Sequence, residues 1–255
     1  MSDDARSIDK TIAIAAPPDA VWRALTDARE MERWFPLKAD VTPGVGGRIW
    51  ISWGPGSEGA STIEAWEPNR HLRTADSFPG EGGAPLRVAV DYYLESEAGD
   101  RTVLRLVHSG FGAGASWDEM YDAMDGGWTY FLTNLRHYLE RHRGTARVMV
   151  WERRPLSRPR GDVWDRIVAA LGSPPELPFA RSAEASEVLL SRPPGHLALR
   201  LPGLNDALLF IELELGGERW HLGVWLSTYG LDAERAEALQ QALGPWLDEV
   251  VGVPA

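Results

Sequence analysis

His108, Ser109 and Tyr92 are the residues of this 255-residue chain whose types and spacing best suit them to hold or move a proton. His108 stands two positions beyond Leu106 and four beyond Leu104. A strand that buries those leucines therefore turns the imidazole inward as well. A neutral histidine so placed can hydrogen-bond a ligand carbonyl, or act as an acid or base near its pKa. Phe111 follows close by, and Tyr92 shares a strand face with Val88, Val90 and Leu94. Asp91 alternates to the other face, where Arg87 and Arg105 are expected to offset its charge. None of these groups forms a triad of nucleophile, base and orienting residue. A satisfied histidine at the mouth of a core is the plain alternative, so no residue is assigned to catalysis beyond candidacy.

Other patterns that suggest chemistry are weaker. Gly110-Phe-Gly112-Ala-Gly-Ala115 has the form of a dinucleotide fingerprint, but no strand-helix-strand unit follows it, and no cofactor is expected. Asp118, Asp122 and Asp125 lie on one helical face without the oxygen-rich loop of a cation site; a solvated face is expected instead. The six histidines lack H-x-x-x-H or H-E-x-x-H spacing, and the chain has no cysteine, so no metal site is expected and disulfides and thiol nucleophiles are excluded.

Net charge is −11, with 15 basic and 22 acidic residues through Arg143 and 11 and 15 after it. Both halves are acidic, which argues against nucleic acid or an anionic membrane as partner. No run of eighteen apolar residues occurs, and the first residues lack a secretory pattern, so the chain reads as cytoplasmic. Twelve tryptophans are unusual, because each requires a large apolar environment and a partner for its ring N–H.

The elements that must position these residues begin with a strand at Thr11–Ile14 and a helix opened by Pro17-Pro18, with Val21, Trp22 and Leu25 on one face. A short helix, residues 28–34, stops before Pro36. Strands are predicted at 48–53, 62–66, 71–75, 86–95 and 102–108. No crossover helices separate them, so the sheet is antiparallel. A helix over 117–141 follows, with Ser116 and Glu119 as its capping box and Gly126-Gly127 as an internal weakness.

The chain matches itself at a spacing of 118, pairing Gly112 with Gly230, Gly126 with Gly244 and Trp128 with Trp246. Val21-Trp22 and Val163-Trp164 match at 142, so the second copy is about 24 residues shorter. Its predicted elements are strands at 147–151, 187–190, 196–201, 207–215 and 220–227, with helices at 161–171 and 232–251. Two domains, 1–144 and 145–255, are expected, the second a shorter, degenerate copy that encloses less volume.

Glu32-Arg-Trp-Phe-Pro36, Pro43-Gly-Val-Gly-Gly-Arg48, Glu64-Ala-Trp-Glu-Pro68, His108-Ser-Gly-Phe111, Gly127-Trp128 and Leu135-Arg-His-Tyr-Leu139 together resemble the bacterial Hsp90 ATPase activator homologues. These belong to the START-like or Bet v 1-like superfamily, also called the polyketide cyclase and lipid transport superfamily. The resemblance spans residues 8–143 and implies an α+β helix-grip fold, in which a curved antiparallel sheet wraps a long carboxy-terminal helix around an apolar cavity. It implies that Trp34, Phe35, Trp50 and Trp53 line this cavity with Trp117, Met120, Met124, Trp128 and Phe131 from the helix, joined by Tyr92, His108 and Phe111. The function implied is noncatalytic binding of a small hydrophobic or aromatic molecule. A cyclase or aromatase-like enzyme and a chaperone-associated accessory protein are the alternatives.

Overall fold

A computed structural model describes residues 6–79, 85–112, 115–173, 175–180, 184–216 and 219–252; the side chains of residues 78, 79, 85, 86, 115, 116, 119, 120, 215 and 216 lie outside that description. The chain divides into two units, Met1–Gly144 and Thr145–Ala255.

The first unit opens with β1 (Arg6–Ile14), then α1 (Pro18–Thr26) and α2 (Ala28–Met31). Pro17 caps α1 and Pro18 begins it, where a missing N–H costs no hydrogen bond. Val21, Trp22 and Leu25 are buried as their spacing predicts, with Trp22 edge-on to Trp66 at 5.1 Å. Asp27 separates the helices and accepts from the amide of Glu30, satisfying a first-turn donor of α2.

Six strands follow: β2 (Lys38–Thr42), β3 (Arg48–Ser52), β4 (Glu58–Glu67), β5 (His71–Pro79), β6 (Pro85–Glu97) and β7 (Arg101–Phe111). The sheet order β1-β7-β6-β5-β4-β3-β2 is antiparallel throughout. Its inward face carries Leu72, Leu94, Leu104 and Leu106, all buried. β2 was absent from the predicted strands because Lys38–Thr42 alternates too few apolar residues to announce itself.

Near its end β7 departs from regular pairing at Gly110, whose φ is +100°, where a Cβ would come 2.2 Å from the carbonyl oxygen of Arg87. Only glycine fits so close an approach at positive φ. The irregularity brings Phe111, rather than residue 110, to the buried side.

α3 (Ala115–Arg141) is one continuous helix. A Cβ at Gly127 would meet nothing nearer than the Phe131 ring at 3.9 Å, so this glycine is not required by crowding. The proposed capping box at Ser116 and Glu119 lies outside the described side chains. The aspartate face is also more than solvated. Asp118 pairs with Arg6 at 2.6 Å and Asp125 with Lys10 at 2.7 Å, tying the helix to β1.

The second unit runs β8 (Arg147–Pro155), α4 (Arg160–Leu171), β9 (Glu187–Arg192), β10 (His196–Leu201), β11 (Ala207–Gly216), β12 (Arg219–Tyr229) and α5 (Ala233–Val251), with a short 3-10 turn at Pro202–Leu204. Its five strands are ordered β8-β12-β11-β10-β9. Asp232 caps α5 by accepting from the amide of Arg235. Val150, Leu209, Ile211, Val224 and Leu226 form one apolar core with Leu239, Leu243, Trp246 and Leu247 of α5. Both units are thus antiparallel sheets closed by a carboxy-terminal helix. Among the described residues the second has two strands fewer and no counterpart of α2.

Candidate functional site

Cross-strand pairing fixes which side chains meet α3. Tyr92 stands opposite Leu106, and Val90 opposite both Thr74 and His108, so Tyr92, Thr74 and His108 share the inward face. His108 lies beneath the helix, where the Nε1–H of Trp128 donates to its Nδ1 at 2.9 Å. An indole nitrogen can only donate. Nδ1 therefore carries the lone pair, and the ring proton of the neutral imidazole sits on Nε2. Burial lowers the His108 pKa to about 4, since the charged form loses its hydration there. Near neutral pH this residue is an uncharged donor through Nε2.

Rings from β6, β7 and α3 and from the segments after α2 and β3 form a belt that begins at it. His108 meets Phe111 at 4.6 Å and Trp128 at 5.9 Å, while Tyr92 meets Trp128 at 6.2 Å. Trp34 stacks on Phe35, and Phe35 contacts Trp53, Trp128 and Phe131 at 5.3, 6.4 and 4.7 Å. Trp53 and Phe131 close the group at 5.4 Å. The turn bearing Trp34 and Phe35 is anchored from both sides. Trp34 donates its ring N–H to the carbonyl of Ala24, and the Asn134 amide donates to the carbonyl of Trp34. Trp34 is a buried anchor, whereas Phe35, Trp53, Tyr92 and Phe131 face inward and stay partly exposed.

The remaining sequence candidates separate. Trp50 stands opposite Ala60 on the outward face, because neighbours along β3 alternate and Ile49 and Ile51 point inward; the expectation that it lines the interior is corrected. Trp117 lies against Gly112, where an added Cβ would sit 2.4 Å from its indole nitrogen. It marks the end of the belt near Phe111 and Tyr121, whose rings are 5.5 Å apart. Met124 precedes Trp128 by one turn yet is 44% exposed, so the stripe opens to solvent there. The Met120 side chain lies outside the described residues. Ser109 points away from His108, its hydroxyl directed at the Ala89 carbonyl at 3.4 Å.

The partners expected for Asp91 are also corrected. Arg73 and His71 bind it, the latter at 2.8 Å, while Arg105 pairs with Asp9 and Arg87 with Glu64. Pairing within β5 and β6 puts Arg73 directly across from Asp91, which sequence alternation within one strand does not reveal.

Asp76 was missed. It lies opposite Val88 on the inward face and accepts from Ser61 Oγ at 2.7 Å, with a pKa raised chiefly by burial. Extending the Leu72, Thr74 alternation by one step would have found it; ending the strand at Ala75 hid it. Among the described residues no cluster of histidine and carboxylate side chains has the grouping of a metal site, and no helix is long and apolar enough to cross a membrane.

The architecture and its aromatic interior define a helix-grip protein of the START-like, Bet v 1-like superfamily. Residues 15–140 match the family model described as Activator of Hsp90 ATPase homolog 1-like protein, and through this first unit the chain belongs to that family. The chain is similar to protein MLL2253 from Mesorhizobium loti, at 30% identity and a TM-score of 0.47, over 54% of this chain and 98% of that one. Two solved structures are similar along nearly all of it. DynU16, of the dynemicin biosynthetic locus, is 21% identical with a TM-score of 0.45 and 96% of each chain covered. The di-domain ARO/CYC BexL, from the BE-7585A biosynthetic pathway, is 15% identical with a TM-score of 0.47, covering 97% of this chain and 96% of that one. No curated protein matches.

Proposed function

We propose that the first unit binds a small hydrophobic or aromatic molecule between its sheet and α3, as a noncatalytic cytoplasmic protein that sequesters, carries or senses it. One observation carries this reading. Phe35, Trp53, Tyr92 and Phe131 point into the fold yet keep part of their surface open, as closed core aromatics do not. Large rings bury 150–250 Å² each when covered, roughly 25 cal/mol per Å², so covering the open parts with an apolar guest is favourable.

Catalysis has less support. His108 is held by Trp128, and no second group sits within hydrogen-bond reach of it to relay a proton among the described residues. A cyclase-like reaction is the second reading, favoured by the inward placing of His108 and Tyr92. A chaperone-linked role rests on the family description alone, and binding of a purified Hsp90 at micromolar concentration tests it.

Native mass spectrometry of the chain purified from a heterologous host tests the main proposal. A retained apolar molecule, released by Phe131→Ala, is expected. A protein that carries nothing and leaves 1-anilinonaphthalene-8-sulfonate unbound would reject it.

A further inference from the structure

We infer that the molecule bound by the first unit is not an anion and offers a carbonyl-type hydrogen-bond acceptor to Nε2–H of His108 and the hydroxyl of Tyr92. This rests on the aromatic belt being a binding site and adds the chemistry of its occupant.

Three observations lead there. First, the Trp128 bond consumes Nδ1 and leaves the single imidazole proton on Nε2, so His108 presents a donor of fixed position. Among the described residues nothing accepts from Nε2, and nothing hydrogen-bonds the Tyr92 hydroxyl. Neither atom is among the fully enclosed, unpartnered ones, so each keeps room beside it for an acceptor on this largely buried face.

Second, the charges on the inward face are paired or of the wrong sign for an anion. Lys10 is paired with Asp125; Arg6, at the Phe111 end, is paired with Asp118 through Nη1, which offsets its charge, while its buried Nη2 has no hydrogen-bond partner. Asp76 is held by Ser61 and would repel an anion. A carboxylate or phosphate ligand would therefore be desolvated without a counterion, which is costly in so apolar a setting. A ketone, quinone or ester carbonyl accepts both donors at no such cost.

Third, the fold does not need these polar groups. The positions 118 residues beyond His108 and Leu106 are Leu226 and Val224, and Val224 pairs with Ile211 as Leu106 pairs with Tyr92. The second unit thus packs leucine and isoleucine where the first has histidine and tyrosine. Trp246, 118 residues beyond Trp128, keeps its indole, but its Nε1–H is buried without a hydrogen-bond partner. Nδ1 of His108 serves the packing through Trp128; the Nε2–H and the Tyr92 hydroxyl are the groups left to an occupant.

Matched probes on the full chain test this, with dissociation constants from isothermal titration of 2-acetylnaphthalene, 2-ethylnaphthalene and 2-naphthoate. The ketone should bind about tenfold tighter than the hydrocarbon, as one to two hydrogen bonds imply, and 2-naphthoate should bind more weakly than the ketone. In Tyr92→Phe and, independently, His108→Leu, the ratio of ketone to hydrocarbon affinity should fall to threefold or less, with circular dichroism checking that each variant is folded. Equal binding of ketone and hydrocarbon by the wild type, or a preference for naphthoate, overturns the inference and leaves the binding site standing. Binding of none of the three overturns the site itself.

Discussion

Trp128 and Trp246 stand 118 residues apart at like places on α3 and α5, yet only the first has a partner for its ring N–H. Trp128 donates to His108, whereas the residue at the matching place on β12 is Leu226, which offers no acceptor. A buried donor without an acceptor costs about 1–3 kcal/mol. The two indoles should therefore respond differently to the same change.

Trp128→Phe removes a made hydrogen bond and leaves Nδ1 of His108 unpaired, so it should destabilise the first unit by about 2–4 kcal/mol. Trp246→Phe also loses ring area but relieves an unmatched donor, and should cost at least 1 kcal/mol less. Urea midpoints followed by circular dichroism compare the two. Equal losses would remove the distinction drawn between them.

His108 governs stability in mild acid. Its folded pKa, about 4, lies below its ordinary value of 6.5. The unfolded chain takes up the proton first, so stability falls as pH drops from about 6.5 towards 4 and is unaffected above 7. The ceiling is about 3 kcal/mol for that window. His108→Leu should lack this slope. Parallel acid sensitivity of the two proteins, in melting temperature against pH, would show that the loss originates elsewhere.

Asp76 has the opposite sign. Burial raises its pKa, so the folded state favours the neutral carboxyl, and that preference is lost as pH rises through the raised value. Asp76→Asn, which keeps an acceptor for Ser61, should raise the urea midpoint at pH 7, with the gain fading as pH falls to the ordinary carboxylate range. A gain that persists unchanged at low pH would point to a cause other than ionisation.

Gly110→Ala places a Cβ against the carbonyl of Arg87 at positive φ. It should destabilise the first unit by about 2–4 kcal/mol, through backbone strain and displacement of Phe111. It should also weaken binding of 2-acetylnaphthalene. Gly44→Ala, also at positive φ but with open space around it, separates the backbone contribution from the steric one and should cost less. Similar losses for both would show that conformation alone matters.

Much of this protein is written locally. Period-two runs such as Val88 to Leu94 and Leu104 to His108, proline at the start of α1, and the helical spacing of Trp128, Phe131, Leu132 and Leu135 specify strands and helices through the residue's own neighbours. Those signals sufficed for the antiparallel sheet, the long closing helix and the inward direction of His108 and Tyr92. Trp50 and Trp53 show where residue type alone misleads. Both are large aromatics near one strand, but three positions apart they take opposite faces, and only the register with β4 shows which one α3 covers.

What tertiary structure decided were relations between distant residues. The sequence holds a tryptophan at 128 and a histidine at 108, but nothing in their spacing says that one donates to the other, fixes its tautomer and leaves a donor facing the aromatic belt. The same holds for Arg73 with Asp91 and Lys10 with Asp125. Such pairings depend on strand order and on where the helix crosses the sheet, quantities set by packing of the whole unit rather than by any stretch of chain.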